Sequence, residues 1–320
     1  MAKVFITGVS GQDGGYLAEQ LLAAGDEVHG LVREQDRPTP DGSGPQLDAA
    51  HLHVADLTDG AAVTGLINEI DPDEIYNLAG MSSVARSWAE PVATGLVSGL
   101  AAATVLQAAW ELSERRGRSV RVVQAASAEI FGNPAVSPQD ESAPIAPVTP
   151  YGAAKAYAHH MVHVYRGRGL HAVSAILYNH ESPRRPATFV TRKITRTAAL
   201  IARGEADELV LGNLDARRDW GWAPDYVDAM VRAARAETPD DYVVATGVSR
   251  SVSEFVAAAF DRAGIQDWAK YVRVDPAFVR PVDAVDMVGD ASRARNRLGW
   301  SPTKSFPEIV AAMVDTDLSN

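Results

Sequence analysis

The stretch KVFITGVSGQDGGYLAEQLLAAGDEVHGLVR (3–33) restricts the fold more than any other part of the chain. KVFITG (3–8) is a short β-branched and aromatic run closing on glycine, the pattern of a buried strand. YLAEQLLAAG (16–25) has apolar residues at helical spacing and a glycine stop, and DEVHGLVR (26–33) reads as the next strand. Strand, helix and strand in this order form half of a doubly wound parallel sheet. The turn between the first strand and the helix, GVSGQDG, places glycines at 8, 11 and 14. Such a turn lets the backbone approach a pyrophosphate, and the helix start supplies N–H donors and a positive dipole end. With strand, turn, helix and strand all in place, the three glycines predict a dinucleotide cofactor.

The rest of the chain continues the pattern. LHVAD (52–56), EIYNLAG (74–80), VRVVQAAS (120–127) and HAVSAILYN (171–179) are candidate strands, with helical stretches between them, notably 91–112 and 151–166. Residues 34–50 are rich in Pro, Gly and Asp and read as an exposed loop. Beyond about residue 180 the pattern becomes irregular. The expected architecture is therefore α/β: a Rossmann-type doubly wound parallel sheet with a smaller C-terminal substrate-binding lobe. Residues 1–178 form mainly the first, and 179–320 mainly the second, with some strands and helices returning to the first domain. A length of 320 residues suits this, and 46% hydrophobic with 22% charged residues is ordinary for a globular enzyme. The absence of cysteine excludes a disulfide framework, a thiolate zinc site and a cysteine nucleophile, and fits a cytoplasmic address. A net charge of −11 disfavours nucleic-acid binding. The N-terminal apolar stretch is too short for a signal peptide, and no run approaching 18 apolar residues is evident, so no membrane span is expected. No His, Asp and Glu cluster has metal-ligand spacing; no metal is expected, and His159, His160 and His163 are placed on a helix face.

Several residues carry chemistry. The second strand ends in Arg33 and Glu34. An arginine there suits the 2′-phosphate of NADP, whereas an acid suits the ribose of NAD. Asp56 can accept from the adenine amino group or cap the helix over 59–70. In YGAAK, Tyr151 and Lys155 lie four apart on one helix face, where a nearby ammonium is expected to lower the phenol pKa. Tyr151 can then take a proton from a sugar hydroxyl, with Ser127 polarising the same group. Glu129 sits among small uncharged residues at the C-terminal edge of the sheet, where ligands bind in open α/β folds. It reads either as a base that abstracts a carbon-bound proton or as a cap or half-buried ion-pair partner.

The glycine spacing resembles the extended short-chain dehydrogenase/reductase superfamily. LYNHESPRRPATFVTRKI (177–194) and LGNLDARRDWGWAPDYVDAM (211–230) resemble the GDP-mannose 4,6-dehydratases, as do GVSGQDGGYLAEQLL, YNLAG, VATG (244–247), VDPAFVRP and VDMVGDASRARNRLGW. The resemblance covers roughly residues 3–315. It implies conversion of GDP-mannose to GDP-4-keto-6-deoxymannose: oxidation at C4, C5 deprotonation with loss of water from C6, and return of hydride to C6. It implies Ser127, Glu129, Tyr151 and Lys155 as the catalytic set. The cofactor, NADP rather than NAD, is expected against Gly8, Gly11, Gln12, Asp13, Gly14, Arg33, Asp56, Leu57, Leu78, Ala79, Tyr151 and Lys155. The substrate is expected against Ser82, Asn179, Val190, Lys193, Arg218 and Arg280, with the cations near the guanosine diphosphate. A homodimer or homotetramer, built through paired helices, is the expected assembly. Arg184 and Arg185 are assigned to the fold or an interface, and His180 to structure.

Three positions depart from the family pattern. Ser127-Ala128-Glu129 stands where Thr-Ser-Glu is usual, Glu34 with QDRPTPDGSG replaces a second arginine and a serine run, and Met81 and Ser83 replace Gln and His. A GDP-sugar 4-epimerase or 4-keto reductase, a dehydratase for another GDP-sugar such as a GDP-heptose, and a nucleotide-sensing binding protein are the alternatives.

Overall fold

The computed structural model describes residues 1–36, 47–278 and 286–319. The strands are β1 (Lys3–Thr7), β2 (Glu27–Val32), β3 (His51–Val54), β4 (Glu74–Asn77), β5 (Arg121–Ser127), β6 (His171–Leu177), β7 (Asn179–Glu181), β8 (Leu209–Leu211), β9 (Arg217–Trp222), β10 (Asp241–Val244), β11 (Ser249–Ser251), β12 (Val272–Val274) and β13 (Asp286–Met287). Seven of them form one parallel sheet in the order β10-β6-β5-β4-β1-β2-β3. The chain reverses direction across the sheet between β1 and β4, and the glycine turn stands at that switch point.

The helices are α1 (Gln12–Ala23), α2 (Gly60–Ile70), α3 (Val84–Ala89), α4 (Pro91–Gly95), α5 (Ala101–Arg116), α6 (Pro150–Gly167), α7 (Val190–Ala202), α8 (Ala223–Arg235), α9 (Val252–Arg262), α10 (Ser292–Leu298) and α11 (Phe306–Ser319). One apolar layer packs α1 and α8 on the sheet through Leu17, Leu21, Val227 and Met230. The opposite layer packs α2, α5 and α6 through Ile67, Val105, Leu106 and Val162. A third cluster, with Ile194, Phe255 and Val310, holds α7, α9 and α11 around β9. β9 pairs with β7, β11 and β13, while β8 pairs with β12. β10 and α8 lie after residue 220 yet belong to the large sheet and its covering layer.

Two features go beyond what local sequence spacing displayed. α4, a π-helical turn at Leu96–Leu100 and α5 run on as one helix, Pro91–Arg116, which by length and composition is apolar enough to cross a membrane. Half of its apolar window is buried against α2, α6 and the sheet, so packing in the core accounts for its hydrophobicity. Its outer face leaves Val92, Leu96 and Leu100 exposed beside Tyr157 of α6. Second, among the described residues the structure brings together two three-residue groups whose donor atoms lie within 4.8 Å of one another, Glu27–His29–His51 and His159–His163–Asp241. Both combine residues from different elements, which is why local spacing did not display them.

Candidate active site

The cofactor cradle is built from glycines that admit no side chain. Gly8 has φ of 74°, and a Cβ on it would stand 2.9 Å from the Ala79 backbone. A Cβ on Gly14 would stand 2.2 Å from the Gly8 carbonyl oxygen. The first turn of α1 starts at Gly11 with no side-chain cap, so its N–H groups and dipole end face the space above the turn. This open, positively polarised cradle fits the pyrophosphate of a dinucleotide. The Thr7 hydroxyl accepts from Leu78 N and Ala79 N at 3.1 Å each and donates to Asn77 Oδ1 at 2.7 Å, fixing the segment across the switch point. Leu57 is buried beside it.

At the ends of β2 and β3 lie Arg33 and Asp56. Arg33 donates to Asp36 at 2.5 Å and is largely exposed. Asp56 accepts from the Thr58 N–H at 2.8 Å and from its hydroxyl at 2.6 Å, bonds that hold its carboxyl below the ordinary range. The α2 cap is Asp59, which accepts from Ala62 N, so the capping role read for Asp56 is incorrect: Asp56 lies one turn too early.

Gln12 and Asp13 face the second lobe. Asp13 Oδ2 lies 2.8 Å from His180 Nε2, and His180 Nδ1 lies 2.7 Å from the Tyr178 carbonyl. A carbonyl can only accept, so Nδ1 is the donor there. Burial works to raise the Asp13 carboxyl, but the His180 charge and hydrogen bond outweigh it and hold it below the usual value. Burial likewise works against His180⁺, and Asp13 reverses that to raise the imidazole. Gln12 adds bonds to the His180 carbonyl at 3.2 Å and from Ser182 Oγ at 2.7 Å. Arg184 grips Glu19 through two bonds, 2.8 and 3.0 Å, and Arg185 lies 3.3 Å from Glu181. His180, Arg184 and Arg185 therefore fasten this segment to α1 and to itself.

Ser127, Glu129, Tyr151 and Lys155 converge at the C-terminal end of β5. The chain turns there through a short 3₁₀ segment, Ala128–Phe131, capped by Ser127, whose hydroxyl accepts from Glu129 N at 3.3 Å. Glu129 is thus not the cap; its side chain is half-buried. Thr149 caps α6 by accepting from Gly152 N at 2.9 Å, and Pro150 follows at the first helical position. A Cβ on Gly152 would stand 2.5 Å from the Glu129 carbonyl oxygen. That close approach seats the start of α6, and with it Tyr151, directly on the Glu129 turn.

Lys155 Nζ donates to the Ala125 carbonyl at 2.7 Å and lies 5.8 Å from the Tyr151 ring centre. Burial pushes the ammonium down to about 8, partly opposed by Asp13. Tyr151 moves opposite to expectation: burial pushes its phenol up to about 12, a hydrogen bond with Ser127 works against this, and the Glu129 charge adds to it. Burial of the phenolate dominates, and the charges acting on it are those of Glu129, Arg185 and Asp13 and not the ammonium expected to stabilise it.

The predicted substrate residues are more scattered. Ser82 is exposed just before α3, whose cap is Ser83, accepting from Arg86 N at 3.2 Å. Asn179 opens β7 opposite Trp220. Val190 starts α7, and Lys193 one turn later lies 4.4 Å from the Phe278 ring in a cleft shared with Glu208, Arg273 and Asp275. Arg218 is buried on β9 and donates to the Arg217 carbonyl at 2.6 Å. Arg280 lies outside the described residues. The sequence reading missed Ser98, which accepts from Met81 N at 2.9 Å and lies beside Gly80 and Lys155, as well as Thr7 and Gly152. Only the Thr149-Pro150 pair carried a recognisable local signal, that of a helix start.

The parallel sheet with a glycine cradle at its switch point, and a Ser, Tyr and Lys set one strand away, define a Rossmann-type nicotinamide-dependent enzyme of the short-chain dehydrogenase/reductase class. Residues 5–313 match the family described as GDP-mannose 4,6 dehydratase. The chain is 44% identical to GDP-mannose 4,6 dehydratase 2 of Arabidopsis thaliana over 98% of this chain and 86% of that protein. It is 39% identical to GDP-mannose 4,6-dehydratase of Vibrio cholerae over 99% and 94%. Among solved structures, Thermus thermophilus UDP-glucose 4-epimerase in complex with NAD superposes with a TM-score of 0.82 at 25% identity, covering 98% of both chains. The chain belongs to the GDP-mannose 4,6-dehydratase family, which does not favour the epimerase or reductase alternatives.

Proposed function

We propose that this chain converts GDP-mannose to GDP-4-keto-6-deoxymannose, with Ser127, Glu129, Tyr151 and Lys155 as the working groups. The observation that carries this reading is the half-buried Glu129 carboxyl, seated on the turn beneath Tyr151 and close enough for its charge to act on the phenol. The glycine cradle of Gly8, Gly11 and Gly14 would hold a nicotinamide dinucleotide, which when bound would exchange hydride with the sugar. Tyr151, which rests as the phenol, gives up its own proton towards the neutral form of Lys155 and as phenolate takes the proton of the C4 hydroxyl, with Ser127 bonded to its oxygen to orient both. Lys155, whose pKa near 8 allows it to hold or release a proton, supports that transfer. Once C4 is a carbonyl, the C5 proton is acidic. Glu129 accepts it and returns it to the departing C6 hydroxyl, which leaves as water. The hydride that would then return to C6 leaves C5 in need of a proton, which the protonated Tyr151 supplies, so the products balance as the keto-deoxy sugar and water.

In E129Q, an amide cannot accept the C5 proton. We expect kcat with GDP-mannose to fall by about 10²-fold or more, while GDP-sugar and cofactor binding persist. The assay is the loss of one water mass from the nucleotide sugar; wild-type turnover in E129Q refutes the role.

The cofactor is read as NADP because the largely exposed Arg33 guanidinium can leave Asp36 for a 2′-phosphate. R33A should weaken NADP binding and leave NAD binding unchanged; an equal effect on both refutes this. The exposed Val92, Leu96, Leu100 and Tyr157 are read as the seam of a homodimer, with L100E expected to shift sedimentation towards monomer. A wild-type chain that sediments as a monomer refutes that reading.

A further inference from the structure

We propose that His159, His163 and Asp241 form a site for a Zn²⁺-like divalent cation, separate from the cofactor and sugar sites. His159 and His163 are four apart on α6 and present their rings to one another with centroids 4.5 Å apart. Asp241 enters from the start of β10, the edge strand of the large sheet. One donor atom from each of the three lies within 4.8 Å of the others. Tetrahedral zinc with ligand bonds of about 2.1 Å sets donor separations of about 3.4 Å, so small side-chain rotations close the site.

The surroundings hold the ligands as metal sites require. Arg166 donates to Asp241 Oδ1 at 2.7 Å and is itself held by the Ala172 carbonyl at 2.7 Å. That leaves Asp241 Oδ2, which faces His163 Nε2 at 2.6 Å. Ser174 Oγ occupies Nδ1 of His159 at 2.8 Å and leaves Nε2 as its metal-binding nitrogen. His159 and Asp241 are buried, whereas His163 reaches solvent and gives the cation a way in. His160, with its ring centroid 5.6 Å from that of His159 and 6.4 Å from that of His163, stands near the fourth position, which it or a water can fill. The Arg166 charge works against a dication, so binding should be micromolar rather than nanomolar. Along α6 the two histidines lie eight and twelve residues from Tyr151, about 12 and 18 Å, too far to touch the reacting sugar. Bound there, a cation would tie α6 to the sheet edge. The other three-residue group, Glu27–His29–His51, is a weaker candidate: it has no fully buried ligand, whereas His159 and Asp241 are buried.

The test uses the untagged full chain, stripped with EDTA and titrated with CoCl₂ and ZnCl₂. The wild type should take up Co²⁺ with the visible absorption of a tetrahedral nitrogen and oxygen site, be competed by Zn²⁺, and melt at higher temperature with Zn²⁺. Removing the Asp241 carboxylate risks the fold through Arg166, so the decisive variant is H163A at an exposed position. H163A should fold, keep basal turnover and bind one Co²⁺ fewer than the wild type. Failure of the wild type to give the tetrahedral spectrum, or an H163A stoichiometry and melting shift equal to wild type, overturns the proposal. A cation held at Glu27–His29–His51 would persist in H163A and so give that second result.

Discussion

The buried ammonium of Lys155 should cost stability, and the cost can be measured by removing it. Its pKa falls from 10.5 to about 8 because burial penalises the charged form. At about 1.4 kcal/mol per unit, holding the proton near neutrality costs the fold about 3 kcal/mol. K155M replaces the ammonium with an apolar side chain of similar length. It loses the bond to the Ala125 carbonyl, whose orphaning costs about 1–1.5 kcal/mol. The difference predicts that K155M is the more stable protein at pH 7, by about 2 kcal/mol. For a chain of 320 residues, an unfolding entropy of about 0.7 kcal/mol/K converts this to a melting-point rise of about 3 °C. Between pH 8 and 10.5 the unfolded wild-type chain binds more protons at this site than the folded one. Wild-type stability therefore rises with pH there relative to the variant. At pH 10 the residual penalty is about 1 kcal/mol, so the advantage of K155M disappears or reverses. Paired urea or thermal melts of cofactor-free proteins at pH 7 and 10 test both halves, with turnover expected to be lost in K155M. A variant that melts below wild type at pH 7, or a gap unchanged at pH 10, refutes the reasoning.

Other expectations rest on single contacts. D13N removes one member of the buried Asp13–His180 pair and should cost about 3–5 kcal/mol by denaturant titration. In the wild type, the Asp13 contribution is present above its unfolded pKa near 3.8 and fades as acid titrates the depressed carboxyl. The His180 contribution is present below 6.5 and fades as rising pH passes the elevated imidazole. D13N should flatten both limbs of the stability–pH profile. G14A places a methyl carbon 2.2 Å from the Gly8 carbonyl oxygen and should abolish dinucleotide binding, as read by fluorescence quenching or calorimetry. T149A removes the α6 cap and should cost about 1 kcal/mol, with a fall in kcat because Tyr151 lies two residues on.

What the sequence disclosed was what is local. The strand, glycine turn, helix and strand at the start are written in consecutive residues with two distinct periodicities, so their order and the cradle were readable. The Tyr151–Lys155 pair was readable for the same reason, being one helical turn apart. Features that depend on contact between distant segments were not readable. Gly152 is ordinary in the sequence and becomes necessary only because the Glu129 backbone lies against it. Asp241 is 78 residues from His163, so no spacing rule joins them. The upward shift of Tyr151 depends on burial, which overrides the charge argument that residue types alone suggested. Asp56 and Asp59 compete for one cap, and only hydrogen-bond direction decides between them.

The α6 helix, 18 residues and about 27 Å long, is a single stiff rod with separate clients along its length. Its start presents Tyr151 and Lys155, its flank adds Tyr157 to an apolar face, and its far half carries His159 and His163. Such a rod shares its displacements among all of them, so a tilt imposed at the flank or the far end is delivered as a shift in where the phenol meets the sugar. Substitutions on its buried side that shift the whole helix, unlike truncation of the exposed His163 ring, are therefore expected to register in rate before they register in folding.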